Sequence, residues 1–214
     1  MREIEAKFAG ATPDDAEAIL LLDKLDGLRV TQDAERRQTD YYYDTADASL
    51  RDAGASLRVR KLTDGLLMTF KGDKQLVTNE AGVQAVSRLE DEVETAPEFA
   101  AAWAPDSPLP TVAPPDPLLR ARAISGDAVL LLTAIIATER RTRVFSGDGA
   151  VIEVAVDRSR ATRGSDGRVV EFGELEVELR SGAAEQLQHF CAALLQAVPG
   201  LRESSITKLT RALD

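Results

Sequence analysis

Polar and apolar residues alternate with period two along most of the chain, which predicts strands with one packed face. Glu3, Glu5 and Lys7 alternate with Ile4, Ala6 and Phe8. Leu57, Val59 and Leu62 flank Arg58 and Arg60, and Met68 and Phe70 bracket Thr69 and Lys71. Arg88, Glu90, Glu92 and Glu94 share one parity, with Leu89 and Val93 on the other. Glu153, Ala155 and Asp157 oppose Ile152, Val154 and Val156, and Glu174, Glu176, Glu178 and Arg180 oppose Leu175, Val177 and Leu179. Gly147-Asp148-Gly149 and Gly164-Ser165-Asp166-Gly167 predict hairpin turns.

Helical spacing is rarer. Thr12-Pro13-Asp14-Asp15 supplies a capping hydroxyl, a proline and two acids, and predicts a helix running to about Lys24. Leu187, Phe190, Leu194 and Val198 mark the apolar face of a second helix from about Ala183 to Val198, and a third is expected from Ile206 to Leu213. Between residues 95 and 127 stand prolines 97, 105, 108, 110, 114, 115 and 117. That density predicts a mostly irregular connection between two halves of one domain spanning residues 1–214, with a short helix near Pro97 to Trp103. The class expected is α+β, dominated by antiparallel sheet.

Charge then narrows the partners. The 214 residues carry 26 Lys+Arg and 36 Asp+Glu, a net charge of −10, which excludes nucleic-acid or membrane binding through a broad basic surface. Cys191 and His189 are the only cysteine and histidine, so disulfides, multi-cysteine zinc sites and Ser-His triads are not expected. The longest apolar stretch, Ala128 to Ala137, is about half the ~20 residues of a spanning helix. The N-terminus lacks the apolar core of a signal peptide, and a cytoplasmic location is expected. Any catalysis should therefore rest on carboxylates, lysines and arginines.

Those residues are sorted by sign. Glu90/Glu92/Glu94 and Glu174/Glu176/Glu178 form carboxylate ladders, while Arg58/Arg60 and Arg141/Arg143 form guanidinium pairs. Like charges along one strand face repel, which is costly on a solvated face with nothing opposite. The pattern makes sense if the strands curl into a barrel whose polar faces point inward, with an acidic wall facing a basic one. Clustered carboxylates suit a hard divalent cation such as Mg²⁺, and arginines and lysines clamp phosphate oxygens.

An ordered set of motifs then resembles one family. Glu3-Ile4-Glu5-Ala6-Lys7 resembles the opening E-x-E-x-K strand of the CYTH domain, the triphosphate tunnel metalloenzymes. Tyr42-Tyr43-Asp44-Thr45, Leu57-Arg58-Val59-Arg60, Thr69-Phe70-Lys71 and Arg88-Leu89-Glu90-Asp91-Glu92 resemble its next four motifs in order. Arg141-Thr142-Arg143, Glu153 to Asp157, Glu174 to Glu178, and Thr207-Lys208 with Arg211 resemble the rest. Thr207 stands where serine is usual and Ala212 where glycine is usual. No histidine precedes the first strand, unlike many class IV adenylyl cyclases, and the CHAD domain often fused to bacterial relatives is not expected after Lys208.

The resemblance implies an eight-stranded antiparallel closed β-barrel with helices outside, hydrolysing a triphosphate with Mg²⁺ or Mn²⁺. It implies that Glu3, Glu5, Glu90, Glu92, Asp157, Glu174 and Glu176 supply metal ligands. Lys7, Arg58, Arg60, Lys71, Arg141, Arg143, Lys208 and Arg211 would hold the triphosphate, with Arg140 left out for its opposite parity. Glu5, Glu176 and Lys71 would be catalytic, and a glutamate or a lysine of lowered pKa would activate water. Inorganic tripolyphosphate is the expected substrate. Thiamine triphosphate, nucleoside triphosphates, class IV cyclase activity and non-catalytic polyphosphate binding are the alternatives. No nucleic-acid or membrane partner is expected, and the chain would be a monomer or homodimer.

Overall fold

Alternating apolar residues give this chain its long strands, and the computed structural model describes residues 2–9, 12–77 and 84–214. In order the elements are β1 (Arg2–Ala9), α1 (Pro13–Leu20), β2 (Lys24–Leu25), β3 (Leu28–Asp44), α2 (Ser49–Asp52), β4 (Ser56–Lys61), β5 (Leu66–Val77) and β6 (Ala85–Glu94). They continue with α3 (Pro97–Ala102), α4 (Asp116–Ser125), β7 (Leu131–Gly147), β8 (Ala150–Arg163), β9 (Val169–Ser181), α5 (Ala184–Ala197), β10 (Arg202–Glu203) and α6 (Lys208–Leu213). The ten described strands join in the order β10-β1-β6-β5-β4-β3-β7-β8-β9, with β2 on β3, and β1 also pairs with β9. That last pairing closes the eight longer strands into an antiparallel barrel, leaving two-residue β2 and β10 at its rim.

The apolar faces point outward, under the helices. Phe8, Phe145, Ile152 and Val177 pack beneath Leu187, Phe190 and Leu194 of α5. Leu57, Val59, Met68 and Phe70 pack beneath Phe99 of α3 and Leu118 of α4. Phe190 has no exposed surface, and its ring centroid lies 5.1 Å from that of Phe145. Phe190→Ala is expected to cost about 3–5 kcal/mol, measured as a shift in the denaturant midpoint. A change below about 1 kcal/mol would mean that α5 does not hold the barrel together.

Two helices depart from the sequence expectation. α1 stops at Leu20, not near Lys24, because Leu22 turns back to pack on the core and an Asp26-Gly27 turn opens β3. Asp26 and Gly27 both have positive φ, 48° and 79°, as a two-residue hairpin turn requires. α4 lies inside the proline-rich stretch that was expected to be irregular beyond Trp103. Its prolines fall only at its cap and first turn, Pro115 and Pro117, where a missing N–H costs nothing. Trp103 fastens the connection to the barrel, donating from Nε1 to Tyr43 Oη at 3.0 Å and meeting Tyr41 edge-on. His189 is exposed and Cys191 buried, as their places on α5 predict.

α6 lies across one end of the barrel, where Tyr42, Ala134, Ile136 and Ala161 cluster with its Ala212 and Leu209. The polar part of the lumen starts one step further along each strand.

Candidate active site and metal centre

Strand register sets the lining. Cα partners run Glu3–Arg88, Lys7–Glu176, Lys71–Glu90, Asp40–Arg60 and Arg140–Asp157, so opposite charges meet across adjacent strands. At these positions like charges along a strand become unlike neighbours around the barrel, while Glu5–Glu178, Asp157–Glu174 and Arg36–Arg140 remain like pairs. The expected acidic and basic walls do not exist as separate surfaces: cations and carboxylates interleave in a cavity of about 710 Å³.

The deepest cluster is Asp157, Glu174 and Glu176, whose carboxylate oxygens lie within 4.8 Å of one another. Lys208, at the start of α6, reaches all three, with Nζ 2.8 Å from Asp157, 2.5 Å from Glu174 and 2.9 Å from Glu176. Thr207 caps that helix by accepting from the Thr210 N–H at 3.1 Å, which aims Lys208 inward. Arg140 forks onto Asp157 at 2.8 and 2.5 Å and also donates to Glu176. Lys7 donates to Glu176 and lies 3.2 Å from Glu5.

Next to it, Lys71 lies 2.6 Å from Glu3 and 3.3 Å from Glu90, and Arg88 lies 2.9 Å from Glu5. Asp40 receives Arg60 at 2.7 and 3.0 Å, while Arg58 lies 3.5 Å from Asp40 and 3.2 Å from Glu92. Thr69 Oγ1 donates to Glu92 at 2.7 Å.

These contacts sort the titrations. Burial pushes the Glu176 carboxyl up, but Lys208, Lys7 and Arg140 outweigh it and hold the group well below the usual range. Burial also pushes Glu5 up, and Lys7, Lys71 and Arg88 bring it below its ordinary value. Burial raises Glu3, with Glu5 and Glu90 adding to it, and raises Glu174, with Glu176 adding to it, against the opposing pull of Lys71 and Lys208. At Glu178 burial carries the carboxyl to about 7 despite Arg180, aided by Glu3 and Glu153. Burial alone would lower Lys7 and Lys208, yet the surrounding carboxylates raise both above an ordinary lysine. Neither is a lysine of lowered pKa, so neither suits the general-base role.

Two expected phosphate ligands lie elsewhere. Arg141 is outside the barrel, 3.6 Å from Glu17 of α1. Arg143 is also on the outer face, donating to Asp33 at 2.7 Å and to the carbonyls of Leu20 and Leu22 at 2.5 and 2.9 Å. It fastens the end of α1. The inward parity of β7 belongs to Thr138, Arg140 and Thr142, a one-residue slip that exchanges every face. Phe145, apolar and of the same parity as Arg141 and Arg143, carries the signal that this parity faces the outer core. Arg211 sits at the α6 end, its Nε 3.8 Å from Glu174 and its guanidinium 5.8 Å from the Phe172 centroid. Asp44, in the Tyr-Tyr-Asp-Thr motif, accepts from the backbone of Thr45, Leu50 and Arg51 and so caps α2. Asp40, Arg36 and Arg180 line the lumen without being picked out by sequence; each shares the parity of a recognised inward neighbour, Tyr42 or Glu178.

The carboxylate cluster fits a hard divalent cation. Its donors are all oxygens, and the buried Oε2 of Glu174 has no hydrogen-bond partner among the described residues. In chemical terms this is a tunnel that can hold metal ions and a polyanion side by side.

A closed antiparallel barrel with such a lining defines a class of proteins with a charged tunnel. The CYTH domain profile matches residues 1–213, and the chain belongs to that family. Among solved structures, HpAC1 from Hippeastrum, a candidate adenylyl cyclase reported to have a dominant triphosphatase activity, is 18% identical with TM-score 0.65, covering 98% of this chain and 94% of that one. A candidate adenylate cyclase from Bacillus halodurans is 16% identical with TM-score 0.63, covering 100% and 99%. The RNA triphosphatase domain of a mimivirus mRNA capping enzyme is 11% identical with TM-score 0.52, covering 92% and 88%. At these identities the likeness is one of fold. No curated protein matches the chain.

Proposed function

We propose that this chain hydrolyses a linear inorganic triphosphate, tripolyphosphate, in its tunnel with Mg²⁺ or Mn²⁺ bound. The observation that carries this reading is the Asp157-Glu174-Glu176 cluster, held beside Lys7, Arg140 and Lys208. The triphosphatase activity reported for HpAC1 supports it. Among the described residues lining the tunnel, Tyr42 is the only aromatic, and at 8% exposure it offers no face for a nucleobase or thiazole ring.

Asp157, Glu174 and Glu176, joined by Glu5 and Glu3, would hold the cations, with Glu90 and Glu92 completing the acidic set. Bound there, a divalent cation would neutralise phosphate oxygens and lower the pKa of a water. Lys7, Arg58, Arg60, Lys71, Arg140 and Lys208 would bind the phosphate chain, keep it in line and offset charge at the transferring phosphoryl group. Raised in pKa, Lys7 and Lys208 stay charged through neutrality and act as clamps. The proton of the attacking water would pass to a carboxylate of the cluster, or to Lys71 beside it.

The test is phosphate release from tripolyphosphate, ATP and thiamine triphosphate, with Mg²⁺ and Mn²⁺ titrated separately. The highest kcat/KM is expected on tripolyphosphate, and chelation should abolish release. Tight tripolyphosphate binding without turnover at any metal concentration would make the chain a binding module instead.

A further inference from the structure

Asp40 is a buried carboxylate that neither the cation cluster nor the phosphate clamp uses. It holds the inward parity of β3, directly opposite Arg60 on β4, and Arg58 stands opposite the next inward residue, Tyr42. Its side chain is 1% exposed. Both of its carboxylate oxygens accept from Arg60, whose Nε and Nη2 form a fork, and Arg58 Nη1 lies 3.5 Å from Oδ2. Asp40 is not one of the three carboxylates whose oxygens converge as a cation site. Burial pushes its carboxyl up, but Arg58, Arg60 and Lys208 outweigh burial and keep it charged.

A fixed negative charge in a lumen that takes phosphate works against the substrate. Asp40 offsets that cost through the arginines. The fork occupies one edge of the Arg60 guanidinium and leaves the opposite edge for a phosphate oxygen. Arg58 is held on three sides: Nε donates to Thr69 Oγ1 at 3.2 Å, Nη2 donates to Glu92 at 3.2 Å, and Nη1 faces Asp40. Among the described residues, Asp40 is the carboxylate that ion-pairs with both arginines. Long side chains that are already ordered lose less entropy when a ligand arrives.

We infer that Asp40 is a positioning residue: it fixes Arg58 and Arg60 in the lumen before substrate arrives, and so sets the tunnel's affinity for tripolyphosphate. The inference rests on the triphosphatase reading, which places both arginines on the phosphate chain. Asp40 acts on phosphate in two ways of opposite sign, and removing its charge separates them. D40N is expected to raise the dissociation constant for tripolyphosphate about tenfold, whereas loss of a merely repulsive charge would lower it. The constant is measured by calorimetry in chelator, where turnover stops. With Mg²⁺ present, KM should rise about tenfold and kcat stay within about threefold. In R60Q, where the fork is already gone, adding D40N should change the constant less than about threefold. D40E keeps the charge but displaces the carboxyl, and should weaken binding only about threefold. E139Q is the control: it removes a carboxylate from an exposed pair with Arg37 at 3.0 Å and should leave binding unchanged. Folded D40N that binds as tightly as the parent chain, or more tightly, overturns the inference and leaves the triphosphatase reading intact. If thermal unfolding shows that D40N does not fold, D40E decides, and binding equal to the parent's overturns the inference. A parent chain that neither binds tripolyphosphate in chelator nor releases phosphate with Mg²⁺ overturns the triphosphatase reading, and this inference with it.

Discussion

Replacing Glu176 by glutamine is expected to lower kcat for metal-dependent phosphate release by about 10³-fold. Glu176 is the hub of the tunnel: Lys7 and Arg140 both donate to it, and Lys208 lies 2.9 Å away. It also supplies one of the three oxygens that could grip a cation. The amide keeps the side chain's volume but not its charge, so two losses are expected together. Metal affinity falls because one anionic donor is gone. Lys7 and Lys208 also lose the carboxylate that anchors them, so their hold on the phosphate chain loosens. Glu5→Gln should behave alike but less severely, since Glu5 meets Lys7 at 3.2 Å and Arg88 at 2.9 Å and stands at the edge of the cluster. The measurement is phosphate release against metal concentration, with thermal unfolding of each variant to show that the barrel is intact. Folded variants that both retain full activity would overturn the assignment of these carboxylates.

The strands and the motif order were legible because period-two alternation and charged ladders are local properties. Glu3, Glu5, Glu90, Glu174, Glu176, Arg58, Arg60 and Lys71 all reach the lumen or its edge as their parity predicts, and Lys208 reaches it from the start of α6. What was not legible is what each charge meets. Lys7 and Glu176 are 169 residues apart, and their contact depends on the β1–β9 pairing that closes the barrel. Sign-sorted strands therefore suggested segregated walls, whereas closure interleaves the signs. α4 was obscured by proline density, although helix-compatible residues follow Pro117 without interruption. The β7 parity was ambiguous because Arg140, Arg141 and Arg143 are one residue type on both faces of the strand. Composition cannot choose between such faces; packing of Phe145 on Phe190 does.

That choice yields the second large effect. Arg140→Gln is expected to lower kcat/KM for tripolyphosphate about 10²-fold, while Arg141→Gln changes it less than twofold. Arg140 is half-buried on β7, between β3 and β8, and forks onto Asp157, whose side chain has no exposed surface. Removing the guanidinium leaves Asp157 with Lys208 at 2.8 Å as its remaining cation, and takes away a fixed charge beside the reacting phosphate. A buried carboxylate that loses one of two cationic partners is also costly for the fold, by up to about 3–5 kcal/mol, so Arg140→Lys is the companion variant. It restores the charge without the fork and should recover part of the activity if charge at the phosphate matters. If only the bidentate hold on Asp157 matters, Arg140→Lys should be as inactive as Arg140→Gln while unfolding at a similar temperature. Arg141 offers the contrast, because its partner Glu17 is on the outer face of the barrel and the pair is half-exposed. Its loss removes a surface ion pair worth about 0–1 kcal/mol and nothing from the lumen. Loss of activity in Arg141→Gln, with Arg140→Gln unaffected, would reverse the register of β7 and return the phosphate clamp to the parity first expected.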